Sequence, residues 1–122
     1  MTDSATNENE GTIYLQKGAS LTISGTGSLL ITPNKLMAIN GTEGTSLTVN
    51  DEANIIIGST LSTTGGIYLR KSITFNDATF GYVAEKGTHH AIDSEGDIKI
   101  IKGQYNLVSG DGKGILQKKI YI

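Results

Sequence analysis

The sequence predicts an all-β fold, a right-handed single-stranded parallel β-helix of about four to five three-sided rungs, and three observations predict it. First, Ser20-Leu21-Thr22-Ile23, Ser46-Leu47-Thr48-Val49 and Ser72-Ile73-Thr74-Phe75 each begin 26 positions after the last. Second, two further landmarks keep phase with them: an apolar pair (Leu29/Ile31, Ile55/Ile57, Phe80/Tyr82, Tyr105/Leu107) and an isoleucine (Ile13, Ile39, Ile67, Ile92, Ile115). Third, apolar and polar residues alternate within each landmark, the period-2 pattern of a strand with one buried face. Three short strands per repeat turn the chain through three corners and return it above its start. The handedness follows from the usual chirality of parallel crossovers.

Along the chain, residues 1–11 are polar and acidic with no apolar signal-peptide core, and read as a disordered leader ahead of a domain spanning 12–122. Ile13 opens the first rung, followed by Leu21/Ile23 and Leu29/Ile31. Ile39, Leu47/Val49 and Ile55/Ile57 make the second; Ile67, Ile73/Phe75 and Phe80/Tyr82 the third. Ile92, Ile98/Ile100 and Tyr105/Leu107 make the fourth, and Ile115 begins a fifth. These residues, Ile13 apart, are the predicted core. Asn50-Asp51 and Asn76-Asp77 recur at equivalent corners, where such residues suit tight turns. The last residues, Ile120-Tyr121-Ile122, resemble an uncapped rung, which points to a longer protein or to self-association.

Composition narrows the function classes. A net charge of −2 with scattered basic residues does not indicate a nucleic-acid partner. Cysteine is absent, so there is no thiol nucleophile or thiolate metal site. No apolar run has the roughly 18 residues of a membrane span.

The runs Leu21-Thr22-Ile23-Ser24-Gly25-Thr26-Gly27 and Ile98-Lys99-Ile100-Ile101-Lys102-Gly103-Gln104-Tyr105, with the joint Ala91-Ile92-Asp93-Ser94-Glu95-Gly96-Asp97-Ile98, resemble the bacterial secreted carbohydrate-binding β-helix family of cellulolytic clostridia. The resemblance implies a pectate-lyase-like solenoid outside the cell. It also implies binding to cell-wall polysaccharide of the cellulose or polygalacturonate type, with calcium and no established catalysis. The joints here read Met37-Ala38-Ile39, Gly65-Gly66-Ile67, His90-Ala91-Ile92 and Lys113-Gly114-Ile115, in place of that family's acidic Asp-Gly-Ile joints.

Side-chain columns offer candidate sites. With Ile13/Leu15 and Ile67/Leu69 inward, Tyr14 and Tyr68 face out two rungs apart, ~9.6 Å, comparable to the repeat of a β-1,4-linked disaccharide. Tyrosine faces stack on sugar C–H surfaces, and Asn40 and Asp93 stand on the same column to bond hydroxyls. Asp93, Glu95 and Asp97 project to one side of an extended segment, and Asp111 stands near the next joint; together they are either a calcium site or a solvated acidic corner. His89 and His90 are adjacent and point apart, which suits a turn better than a catalytic triad. Polysaccharide lyases on such a fold use an Arg or Lys base beside calcium; the single arginine, Arg70, followed by Lys71, does not by itself establish one. Ser20/Thr22, Ser46/Thr48 and Ser72/Thr74 form a hydroxyl ladder of the kind that binds ice, and Leu30 with Ile56 is an outward apolar pair. The expected function is non-catalytic carbohydrate binding along a lateral face. The alternative is a structural stalk or adhesin segment; lyase and ice-binding readings stand behind both.

Overall fold

The computed structural model describes residues 11–33, 37–60, 65–110, 112 and 114–121. They form twelve strands and, among the described residues, no helix. The first rung holds β1 (Gly11–Leu15), β2 (Ser20–Ile23) and β3 (Ser28–Ile31). The second holds β4 (Met37–Gly41), β5 (Ser46–Val49) and β6 (Ala53–Gly58), and the third β7 (Gly65–Leu69), β8 (Ser72–Phe75) and β9 (Ala78–Ala84). In the fourth, β10 (Ile92–Ile100) replaces two strands and is followed by β11 (Gly103–Ser109); β12 (Ile115–Tyr121) starts a fifth.

The pairing is that of a β-solenoid of about four turns. Every strand pairs in parallel with its counterpart one rung away. Ser20 lies against Ser46 and Ser46 against Ser72, while Ile13, Ile39, Ile67, Ile92 and Ile115 form one continuous column. β10 bends midway, pairing β7 through Ile92–Ser94 and β8 through Asp97–Ile100, so two faces join into one sheet. The third face is a separate sheet in the order β11-β9-β6-β3.

No rung can bury its inward face alone; each inward side chain is covered by its equivalents above and below. Thirteen of the predicted core residues are fully buried, from Ile31 to Ile98. The other seven (Leu21, Ile23, Leu29, Ile100, Tyr105, Leu107, Ile115) are partly buried and pack against that core from the outermost described rungs. Phe75 is the centre of an aromatic stack, with ring centroids 5.5 Å from both Phe80 and Tyr105. Leu69 and the alanines Ala38, Ala53, Ala78, Ala84 and Ala91 are also buried. The alanines sit at or next to strand starts and ends.

The corners absorb the departures from a constant repeat. Residues 42–45 connect β4 to β5, whereas only Arg70 and Lys71 connect β7 to β8. The buried Thr45 fills the difference: its hydroxyl donates to the Thr42 carbonyl at 2.6 Å and accepts from the Arg70 N–H at 3.4 Å. Its own carbonyl accepts from the Lys71 N–H at 2.9 Å. Asn50 and Asn76 do stack as expected, the Asn76 amide donating to Asn50 Oδ1 at 2.6 Å. Their corners nevertheless differ. Asp51 and Glu52 both take left-handed backbone, φ 60° and 61°, in a turn closed by the Ala53 N–H on the Asn50 carbonyl. The Asn76-Asp77 corner is one residue shorter and has no such pair.

Residues 1–10 of the expected 1–11 leader lie outside the described residues, and its last residue, Gly11, belongs instead to β1, where it pairs with Met37. At the other end Ile120 pairs with Ile98 in register, and Ile122 lies outside the described residues. Among the described residues no helix is long and apolar enough to cross a membrane.

Candidate functional site on the β1–β4–β7–β10 face

Register brings the predicted column together: Tyr14 pairs with Asn40, Asn40 with Tyr68, and Tyr68 with Asp93. Alternation along the strands sets them all on the side opposite the isoleucine column. Their accessibility differs. Tyr14 is 39% exposed, and Tyr68 and Asp93 are half-buried. Asn40 is only 7% exposed. It is therefore no open hydroxyl-binding group as the sequence suggests; it lies low between the two tyrosines, under the crowding of flanking rungs.

Two residues that complete the strip were read from sequence for other chemistry. Arg70 follows Tyr68 by two positions and Glu95 follows Asp93 by two, so both share the outward side. The Tyr68 hydroxyl donates to Glu95 Oε1 at 2.8 Å. Arg70 Nη1 stands 3.5 Å from the same oxygen, with the two side chains 37% and 52% exposed. The Arg70 guanidinium carbon lies 4.6 Å from the Tyr68 ring centroid, a cation–π contact. One face of Tyr68 is thus already covered by the guanidinium. The outward parity of Arg70 and Glu95 was the available sequence signal.

Burial chiefly, with the hydrogen bond to Glu95 next, pushes the Tyr68 phenol up to about 12, against the opposing pull of Arg70. Asp93 is also raised. Burial is the main cause; nearby His90 and Arg70 act the other way, and Glu95 adds to the rise. The strip thus presents an aromatic ring, a guanidinium and two carboxylates, a set able to stack on C–H faces and bond paired hydroxyls.

Of the suggested calcium ligands, Asp93 is half-buried, Glu95 and Asp97 are exposed, and Asp111 lies outside the described residues. β10 bends between Ser94 and Asp97, where its register against β12 shifts. Glu95 is engaged by Tyr68 and Arg70. Among the described residues no three His, Asp or Glu side chains are grouped to hold a metal ion.

On the adjoining face, the hydroxyl ladder is in register across β2, β5 and β8, with the Ser20 and Ser46 hydroxyls 2.9 Å apart. Searches of family models, curated proteins and solved structures found no match to the chain.

Proposed function

We propose that this protein is a non-catalytic carbohydrate-binding β-helix that takes an extracellular polysaccharide along the β1–β4–β7–β10 face. The observation that carries the reading is the in-register strip of Tyr14, Tyr68 and Asp93, completed by Arg70 and Glu95. Tyr14 and Tyr68 stand two rungs apart, ~9.6 Å, so alternate sugars of an extended β-1,4 chain meet the open Tyr14 ring and the Tyr68–Arg70 pair. Asp93, Glu95 and Arg70 supply hydroxyl partners between them. The test is retention on insoluble cellulose and a mobility shift in polygalacturonate gels, each with calcium and with chelator. Tyr14→Ala with Tyr68→Ala should abolish retention; unchanged retention would remove this face from the reading. Loss of retention in chelator would bring calcium to the Asp93–Glu95 strip.

A second reading, a structural stalk, is favoured by the side-chain ladders along the axis. Asn50 donates to Ser24 Oγ at 3.5 Å, Asn76 to Asn50, and Asn54 to Ser28 Oγ at 3.2 Å. Such ladders stiffen the stack without presenting chemistry. Light scattering separates the two readings: a long end-to-end oligomer without polysaccharide retention favours the stalk.

A further inference from the structure

The sheet β3–β6–β9–β11 carries a different surface, and β9 is its low strand. The outward residues of β9 at its start are small, Thr79 and Gly81. Register sets Asn54 and Ile56 of β6 on one side of them and Gln104 and Asn106 of β11 on the other. A methyl group added at Gly81 would meet nothing within 4 Å. Two depressions of about 450 and 500 Å³ share Thr79 and Gln104, so they join into one trough along β9, from the Asp77–Lys102 ion pair to Gly81.

We propose that this trough is a second binding site, for a short neutral oligosaccharide lying along β9. From Asp77 to Gly81 is ~13 Å of strand, room for about two or three sugar rings. The backbone of β9 is paired on both sides, with β6 and with β11, so an extended peptide cannot add to it as a strand. What remains for a ligand is side-chain chemistry. Gln104 and Asn106 each offer a donor and an acceptor on one amide, Asn54 its carbonyl oxygen and the N–H not given to Ser28, and Thr79 a hydroxyl, a set that matches neighbouring sugar hydroxyls. Ile56 forms an apolar wall beside the bare Gly81 backbone, against which a C–H face can lie.

Charge selects a neutral ligand. None of the outward residues of β6, β9 and β11 from Asn54, Thr79 and Gln104 to Gly58, Val83 and Val108 is charged. At the mouth, Lys102 Nζ lies 3.5 Å from Asp77 Oδ2 and Glu52 lines the same end, so the charge left over there is negative and disfavours an anionic ligand. The exposed Leu30, Ile56, Val83 and Val108 raise a second copy as an alternative occupant. Area argues against it. Four strands span ~14 Å and the strands run ~20 Å, a face of ~300 Å², against about 800 Å² per partner in a stable protein interface.

The test is a heteronuclear NMR titration of the whole chain with cellotriose and xylotriose, and with trigalacturonate as the charged comparator. Saturable shifts are expected at Thr79 and at the side-chain amides of Asn54, Gln104 and Asn106 with a neutral trisaccharide. Gly81→Val fills the trough at an open strand position that accepts a β-branched residue. It should weaken binding at least tenfold with an unchanged or higher melting temperature. Tyr14→Ala with Tyr68→Ala should leave the trough shifts intact, which separates this site from the tyrosine strip. The proposal is overturned if Gly81→Val titrates like wild type or shifts appear only around Tyr68. Equal binding of trigalacturonate in the trough, or no saturable shift with either neutral sugar, overturns it as well.

Discussion

The phenol of Tyr68 donates a hydrogen bond to Glu95 Oε1 across two neighbouring rungs, 2.8 Å away, beneath the guanidinium of Arg70. The bond and the carboxylate charge both hold the phenol proton. Glu95→Gln keeps an acceptor but removes the charge, so the Tyr68 titration midpoint should fall below its value of about 12. Phenolate absorbance followed against pH, with Tyr68→Phe to assign the Tyr68 component among the other tyrosines, reads this. Stability should change by less than about 1 kcal/mol, since the Arg70–Glu95 pair is solvent-exposed.

Thr45 is a buried polar residue whose hydroxyl serves two backbone groups at once. Thr45→Val keeps the shape and leaves the Thr42 carbonyl and Arg70 N–H without that partner. The expected cost is about 1–3 kcal/mol in denaturant unfolding. Thr45→Ser should recover most of it. Because Arg70 hangs from this corner, the valine variant should also weaken polysaccharide retention.

Gly96 stands at the bend of β10, its N–H donating to the buried Ser94 hydroxyl at 3.1 Å. A side chain there would run into the Lys71 carbonyl of the rung below. Gly96→Ala should therefore destabilise by about 2–4 kcal/mol. Gly27→Ala, at a corner with open space, should stay within about 1 kcal/mol of wild type. Thermal unfolding of the two variants makes the comparison.

Tyr82 is fully buried, and burial pushes its phenol from the ordinary 10.0 to about 12. The folded protein keeps a proton that the unfolded chain releases near pH 10. Stability present below that pH is therefore lost as pH rises from 10 towards 12. At ~1.4 kcal/mol per pH unit, Tyr82 accounts for up to ~3 kcal/mol of the loss. Tyr68 and Tyr105, also raised to about 12, act in the same window. Tyr82→Phe should flatten the pH dependence of the unfolding free energy across it.

The sequence by itself determined the solenoid, its rungs and its core, because in-phase repetition forces equivalent residues to stack and alternation decides which of them point inward. Ser20, Ser46 and Ser72 could be aligned by eye, and they pair in the structure. The outward column of Tyr14, Asn40, Tyr68 and Asp93 was legible on the same ground. What the period does not encode is how far each side chain stands clear of its neighbours, or what it touches there. Only the tertiary structure sank Asn40 between the rungs, laid Arg70 over Tyr68 and tied Glu95 to both. Those outcomes depend on the corners, whose lengths vary where the strands do not. A two-residue corner after β7 and a bend within β10 place Arg70 and Glu95 beside each other, and neither leaves a hydrophobic signal in the sequence. The trough on β9 has the same origin: small Thr79 and Gly81 are unremarkable along the chain, and become a groove only when taller rungs stack on either side.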